Sequence, residues 1–142
     1  MQIAFAFLLM LQVETAVPVV KEVAAPCTLL ASADAANACF EASLAAANAE
    51  LMLFSAKSPV ERRRAQDLQR TTATAKADAC KVAELLHLNA GAKVDVSAKP
   101  DICVSDRPGA PKGLVRVRLK DGKDAGMIGC VRPTDLRDPV AF

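Results

Sequence analysis

The sequence predicts an α+β protein in which an antiparallel helical hairpin is followed by a small antiparallel β module. Two long stretches, residues 34–57 and 59–88, contain no glycine and carry apolar side chains at helical spacing. Residues 114–131 instead alternate apolar and charged side chains around an Asp-Gly turn, which is typical of paired strands. With 142 residues, the chain has room for one domain or two very small ones.

The composition indicates a thin hydrophobic core. Aromatic residues make up only 4% of the chain, which has no Trp or Tyr, and much of its apolar content is alanine. Small cores are commonly reinforced by cross-links, and five cysteines could supply them. The net charge of +2 is too small to indicate a nucleic-acid partner.

Residues 1–25 are predicted to be a hydrophobic leader. The run MQIAFAFLLMLQV is shorter than the roughly 20 residues that a membrane-spanning helix needs, and it has the length of a signal-peptide core. Small residues suited to cleavage follow at Val23-Ala24-Ala25. A signal peptide would send the protein into the secretory pathway, and so to the extracellular space or an organelle lumen. Two alternatives stay open: a retained anchor that associates with a membrane through residues 1–20, or a buried N-terminal element.

Residues 26–90 are predicted to form the helical hairpin, with helices over 34–57 and 59–88. Each helix carries a row of apolar or small residues spaced alternately by three and four, and the two rows mirror each other about the turn. We therefore expect the rows to pack together, large residues of the first against mostly small ones of the second. The first row is Phe40, Leu44, Ala47, Leu51 and Phe54; the second is Ala65, Leu68, Thr72, Ala75, Ala79, Val82 and Leu86.

The sequence KSPVE separates the two predicted helices. Ser58 is a suitable N-cap, Pro59 suits the first position of a helix, and Glu61 completes a capping box. The second helix is therefore expected to begin at residue 59.

The pairing of the cysteines is only partly predictable. Cys39 and Cys80 are level in the predicted hairpin, but they flank the packed rows on opposite sides, so a disulfide between them would require a rotated seam. That disulfide stays an open alternative. One or two disulfides joining the hairpin to the β module are expected, because all the thiols gather at the open end of the hairpin, and one thiol is left over. The candidates are Cys27, Cys39, Cys80, Cys103 and Cys130.

No metal site is expected. The cysteines lack the closely spaced pairs of structural zinc sites, and His87 is the only histidine. A lone histidine near a helix end is more often a favourable cation there than a ligand.

Two clusters of basic residues are candidate partner contacts. Short runs of charge are usually solvated faces, and cations on the wet face of a strand need no ligand. The alternative is contact with an acidic partner for the first cluster, and with protein, lipid headgroups or nucleic acid for the second. The first cluster is Arg62, Arg63 and Arg64; the second is Arg116, Arg118 and Lys120.

Residues 91–142 are predicted to form the β module. The segments VRVRLKDG, GMIGCV and RPTDL, within residues 93–138, are similar to the C-terminal half of bacterial and organellar SH3-like modules. The resemblance implies a small SH3-like antiparallel barrel. Met127 stands where that family has a tryptophan. Without tryptophan or tyrosine rings, neither proline-rich peptides nor single-stranded nucleic acids are expected to find the aromatic surface that they bind.

No catalytic constellation is visible, and no cofactor is expected. The sequence favours a non-enzymatic accessory or adaptor subunit of a larger protein assembly, in an oxidising or lumenal compartment. Two alternatives stay open: a weak nucleic-acid-binding module that uses the basic β face, and a thiol-redox or metal-binding protein.

Overall fold

The computed structural model of the chain describes residues 19–97, 99 and 101–140. Over these residues it contains two α-helices and a seven-stranded antiparallel sheet, which confirms the α+β class. The elements are β1 Val19–Val23, β2 Cys27–Leu30, α1 Ala33–Ser55, α2 Pro59–Ala83, β3 Glu84–Leu88, β4 Lys93–Ser97, β5 Val115–Leu119, β6 Ile128–Val131 and β7 Leu136–Arg137, with short 3₁₀ helices at Asp101–Cys103 and Pro133–Asp135.

The sheet runs in the order β3-β2-β6-β5-β4-β1-β7. The predicted β5–β6 pair is present, with Val117 of β5 opposite Gly129 of β6. On one face of the sheet, seven fully or almost fully buried side chains form the main hydrophobic core: Val23, Leu29, Leu88, Val94, Val117, Leu119 and Val131.

Three strands lie outside the predicted β module. β1 falls within the predicted leader and pairs with β4 and β7, so residues 19–23 belong to the sheet, whereas residues 1–18 of that leader lie outside the described residues. β2 and β3 flank the hairpin and pair with each other. The sheet thus contains strands from all three predicted segments, residues 1–25, 26–90 and 91–142.

The second helix ends at Ala83, five residues earlier than the sequence predicts. Residues 84–88 form β3 instead, with Leu88 in the core of the sheet. The physical reason is tertiary: pairing with β2 and burial of Leu88 outweigh a helical spacing that continues through Leu86. His87 therefore lies exposed on an edge strand, not at a helix end.

The helical hairpin is inserted between two neighbouring strands. α1 follows β2 after two residues, and α2 runs directly into β3. The backbone N–H of Ala31 donates to the carbonyl of Ala83 at 2.8 Å, which joins the two ends of the insertion. The helices have 23 and 25 residues, so each is about 35 Å long at 1.5 Å per residue.

The turn between the helices has the predicted chemistry. The N–H of Glu61 donates to the hydroxyl of Ser58 at 3.1 Å, and Pro59 occupies the first helical turn. The carboxylate of Glu61 accepts from the N–H of Lys57 at 3.1 Å. The first of these hydrogen bonds satisfies a helical N–H that the helix itself leaves unpaired. The second joins Glu61 to Lys57, one residue before the Ser58 N–H that a standard capping box would use.

The predicted packing of the two apolar rows is wrong. The seam between the helices consists mainly of small residues: Ala49 and Ala65 are buried, and Cys39 forms a disulfide with Cys80, their Cα atoms 4.6 Å apart. A disulfide requires Cα atoms within about 7 Å, and alanines allow the helix axes to approach that closely. Relative to the prediction, α1 is therefore turned by roughly 150° about its axis.

The second disulfide joins Cys103 to Cys130, and Cys27 is the unpaired thiol that an odd number requires. Cys103 and Cys130 are buried in a smaller cluster with Ala33 and Leu114. Each disulfide thus lies within one part of the fold, and the expected disulfide between hairpin and β module is wrong. The two bonds indicate an oxidising compartment.

Candidate functional site

The most distinctive surface of the hairpin is a row of apolar side chains along α1. We call Phe40, Leu44, Ala47, Leu51 and Phe54 the α1 apolar row. All five are exposed, and the four large ones retain 57%, 49%, 67% and 95% of their accessible surface. Their spacing of four, three, four and three residues is the heptad spacing by which one helix packs against another.

The rotation of α1 explains why this row faces outward. The residues that α1 turns toward α2 are Ala42, Ala46, Ala49 and Leu53, which are buried or half-buried. At 100° per residue, the α1 apolar row lies roughly 150° around the helix from this seam. The row is therefore unpartnered within the described part of the chain.

α1 is purely acidic. It carries Asp34, Glu41 and Glu50 and no Lys, Arg or His. Asp34 accepts a hydrogen bond from Ser105, which ties the base of the helix to a loop of the β module. Glu41 and Glu50 are exposed, flank the α1 apolar row on opposite sides, and form no ion pair with any described residue.

α2 presents a different surface on the opposite flank of the hairpin. Val60, Leu68 and Val82 are exposed, but the intervening outward positions are Arg64, Thr71 and Asp78. The apolar surface of α2 is therefore interrupted by polar groups, unlike the row on α1. A depression of about 310 Å³ beside the turn is lined by Pro59, Val60, Arg63, Arg64 and Asp67.

The predicted cluster Arg62, Arg63 and Arg64 does not form a single patch. The three consecutive side chains are exposed and leave the helix about 100° apart. Arg63 and Arg64 border the depression beside the turn, whereas Arg62 does not. This arrangement is that of a solvated helix surface more than of an anion-binding site.

The basic side chains of β5 lie on the outer face of the sheet. Val117 and Leu119 are buried on the inner face, while Arg116 pairs with Asp101 at 3.2 Å and Lys120 lies 3.9 Å from Asp95. Arg118 is exposed, opposite Asp95 in the neighbouring strand. These acids partly neutralise the cationic ladder, which weakens it as a site for phosphate groups.

The unpaired thiol is in an unreactive setting. Cys27 is half-buried in β2, and burial, with a further contribution from the Asp135 carboxylate, raises the pKa of the thiol. A raised pKa reduces the thiolate fraction at neutral pH, whereas reactive thiols have lowered pKa values. Among the described residues, no three His, Cys, Asp or Glu side chains lie together as metal ligands would.

Neither helix in the described part of the chain is apolar enough over a sufficient length to cross a membrane. The chain matches no protein-family model, no curated protein and no solved structure. The resemblance of residues 93–138 to SH3-like modules stays a prediction.

The helical spacing in the sequence identifies the five residues of the α1 apolar row but predicts that they lie in a core. The features of this surface are also visible in the sequence: large residues at strict heptad spacing occur on a helix without a single basic side chain. What the sequence could not show is that α2 would pack against another face.

Proposed function

We propose that the protein is a non-enzymatic adaptor or accessory subunit that docks onto a partner protein through the α1 apolar row. The observation that carries this proposal is the exposure of Phe40, Leu44, Leu51 and Phe54 along one line of a folded, disulfide-linked helix. Monomeric proteins rarely leave an extended apolar patch uncovered unless it binds something.

The size of the row fits part of a protein interface. A large aromatic side chain alone buries about 150–250 Å², so the four large residues together offer several hundred Å² of apolar surface. A standard interface buries about 800 Å² on each partner. Phe40 and Phe54 are the anchor type of residue that dominates binding energy in such interfaces.

The Cys39–Cys80 disulfide supports the docking role because it holds α1 in a fixed rotation on α2. A helix that is already folded and oriented loses little conformational entropy on binding. The site is therefore preorganised, and the binding energy of the apolar side chains is not spent on ordering the helix.

We propose an oxidising compartment such as the extracellular space or an organelle lumen, reached through the secretory pathway by a leader that ends before β1, because cleavage at Val23-Ala24-Ala25 would remove a strand of the sheet. Membrane association through a retained leader is the alternative form of this proposal. The two disulfides support the oxidising environment, and the apolar run of the first thirteen residues supports the leader.

Site-specific photo-crosslinking tests the docking role. A photoreactive amino acid is placed at Leu51 of the α1 apolar row or, as a matched control, at Val82 on the opposite flank; both side chains are 67% exposed. We expect a covalent adduct of one defined mass from Leu51 and none from Val82 in the native source. Equal labelling at both positions, or no adduct from Leu51, would contradict the proposal.

A further inference from the structure

We infer that the element of the partner that covers the α1 apolar row is a basic amphipathic helix. This inference rests on the proposed docking function and specifies its ligand. It is carried by two features of α1 together: the heptad spacing of the exposed apolar residues, and the exclusively acidic charge beside them.

The spacing indicates a helical occupant. The row extends over about 21 Å of straight helix, and its alternating spacing of three and four residues matches the a and d positions of a coiled-coil seam. A strand or an irregular segment has a different repeat and would leave part of the row uncovered. An antiparallel or parallel helix covers all five positions.

The charges indicate a basic occupant. If the α1 apolar row is taken as the a and d positions of a heptad, Glu41 and Glu50 occupy the flanking e and g positions. Charged side chains at e and g determine which helix can pair with the row, because they form ion pairs across the contact. The remaining such positions of α1 are Ser43, Asn48 and Ser55, so no basic side chain offsets the two carboxylates. Lys or Arg on the facing helix would form ion pairs with them, whereas Glu would be repelled.

A second copy of the chain fits less well. Pairing two α1 helices would place four carboxylates, Glu41 and Glu50 of each copy, along one seam with no basic side chain of either α1 to pair with them. Pairing α1 with α2 of another copy supplies basic groups, but Arg64, Thr71 and Asp78 occupy alternate seam positions there and would be buried against apolar side chains.

A lipid surface also fits less well. Helices that lie on membranes carry basic residues on their polar face, which anionic headgroups attract. α1 carries only acidic ones, so its apolar row is not matched to an anionic membrane.

Two designed peptides test the inference. Both are about three heptads long with Leu at the a and d positions; one has Lys and the other Glu at the flanking e and g positions. Binding of each fluorescent peptide to the full, oxidised chain is measured by anisotropy at several salt concentrations. We expect the Lys peptide to bind more tightly than the Glu peptide, with a preference that decreases as salt screens the charges.

Three variants separate apolar contact from charge. Leu44→Ser/Leu51→Ser is expected to abolish binding of the Lys peptide. Glu41→Lys/Glu50→Lys is expected to weaken the Lys peptide on the order of tenfold and to strengthen the Glu peptide, since each charge pair beside a helical seam changes affinity by a few-fold. Asp67→Lys/Asp78→Lys makes the same change in net charge on α2 and should leave both affinities unchanged.

The possible outcomes distinguish failure of the inferred basic helix from failure of the docking function itself. If both peptides bind equally, or if the two charge-reversal variants behave alike, the inferred basic character is wrong while docking through the row stands. If neither peptide binds but Leu51 still crosslinks to a partner, the occupant is not such a helix. Failure of the Leu51 crosslink itself would overturn the docking function. A dimer of the chain in sedimentation, lost in Leu44→Ser/Leu51→Ser, would identify a second copy as the occupant and overturn the inference.

Discussion

The Cα atoms of Cys39 and Cys80 lie 4.6 Å apart across the helical hairpin. This pairing places small residues in the seam and turns the neighbouring Phe40 toward solvent, where it keeps 57% of its surface exposed. One covalent contact near the base of the hairpin thus goes together with the exposure of an apolar line that continues to Phe54, next to the turn.

Replacing the hairpin disulfide by Cys39→Ser/Cys80→Ser should lower the free energy of unfolding substantially. The bond closes a loop of 41 residues, and the chain-entropy relation gives a loss of about 4 kcal/mol for a loop of that size. Urea denaturation followed by far-UV circular dichroism measures the change. The wild-type chain with its disulfides reduced serves as the comparison, and an unchanged midpoint in the variant would show that the bond does not constrain the unfolded chain.

Substitutions in the seam and in the α1 apolar row should have opposite consequences for stability. Ala49→Leu adds bulk to a fully buried position and should cost about 1–3 kcal/mol. Leu51→Ala, two residues further, should change the free energy of unfolding by no more than about 0.5 kcal/mol because the side chain is largely exposed. Both are measured by chemical denaturation. A loss of about 2–5 kcal/mol for Leu51→Ala, as in a core, would show that the row is buried in the free protein.

The ion pair between Glu22 and Arg137 should matter more than the one between Asp95 and Lys120. Glu22 is buried and accepts from Arg137 at 2.8 Å and from the N–H of Val140 at 3.3 Å. Arg137→Ala leaves that carboxylate short of a partner and should cost about 1–2 kcal/mol. Lys120→Ala removes an exposed contact at 3.9 Å and should cost at most about 0.5 kcal/mol. Equal shifts in the urea midpoint for the two variants would contradict this ranking.

The Cys27 thiol should react slowly with iodoacetamide at pH 8 compared with the same residue in the urea-unfolded chain. Burial, and secondarily the Asp135 carboxylate, raises its pKa. Asp135→Asn should speed the reaction at fixed pH, with Asp138→Asn as a control that removes an acid three residues further on. The variant reacting no faster than wild type would exclude Asp135 as a cause.

The same raised pKa has a consequence for stability. Because the folded protein holds the Cys27 proton more tightly than the unfolded chain does, this contribution is present below about pH 8.5, the ordinary value for a thiol. It is lost as the pH rises through the folded pKa. Cys27→Ser should therefore flatten the alkaline part of the stability profile, and an unaltered profile would argue against the raised pKa.

The local parts of the fold were predictable because local chemistry determines them. Ser58 and Pro59 start a helix through their own side chains, and the alternation of β5 places Val117 and Leu119 inside whatever the strand pairs with. β3 was missed because its leucines continue a helical spacing, and its partner β2 lies more than fifty residues earlier in the chain.

The rotation of the helices was unpredictable for a related reason. α1 is so rich in alanine that small apolar side chains occur on nearly every face, so several seams are sterically acceptable. The most regular apolar row in the sequence, the α1 apolar row, was predicted to lie in the interior of the protein. Periodicity shows only that one face of a helix is apolar and suited to packing. It does not distinguish another part of the same chain from a separate molecule, and that distinction decides the candidate site.

Both helices are inserted between two adjacent strands, so the length of the hairpin can change without altering the sheet. Ala31 and Ala83 remain joined whatever lies between them, so adding or deleting matched turns at the far end would lengthen or shorten the arm by about 5.4 Å per turn. The β sheet would act as a fixed base, and the distance at which Phe54 is presented could be adjusted in steps without redesigning the core.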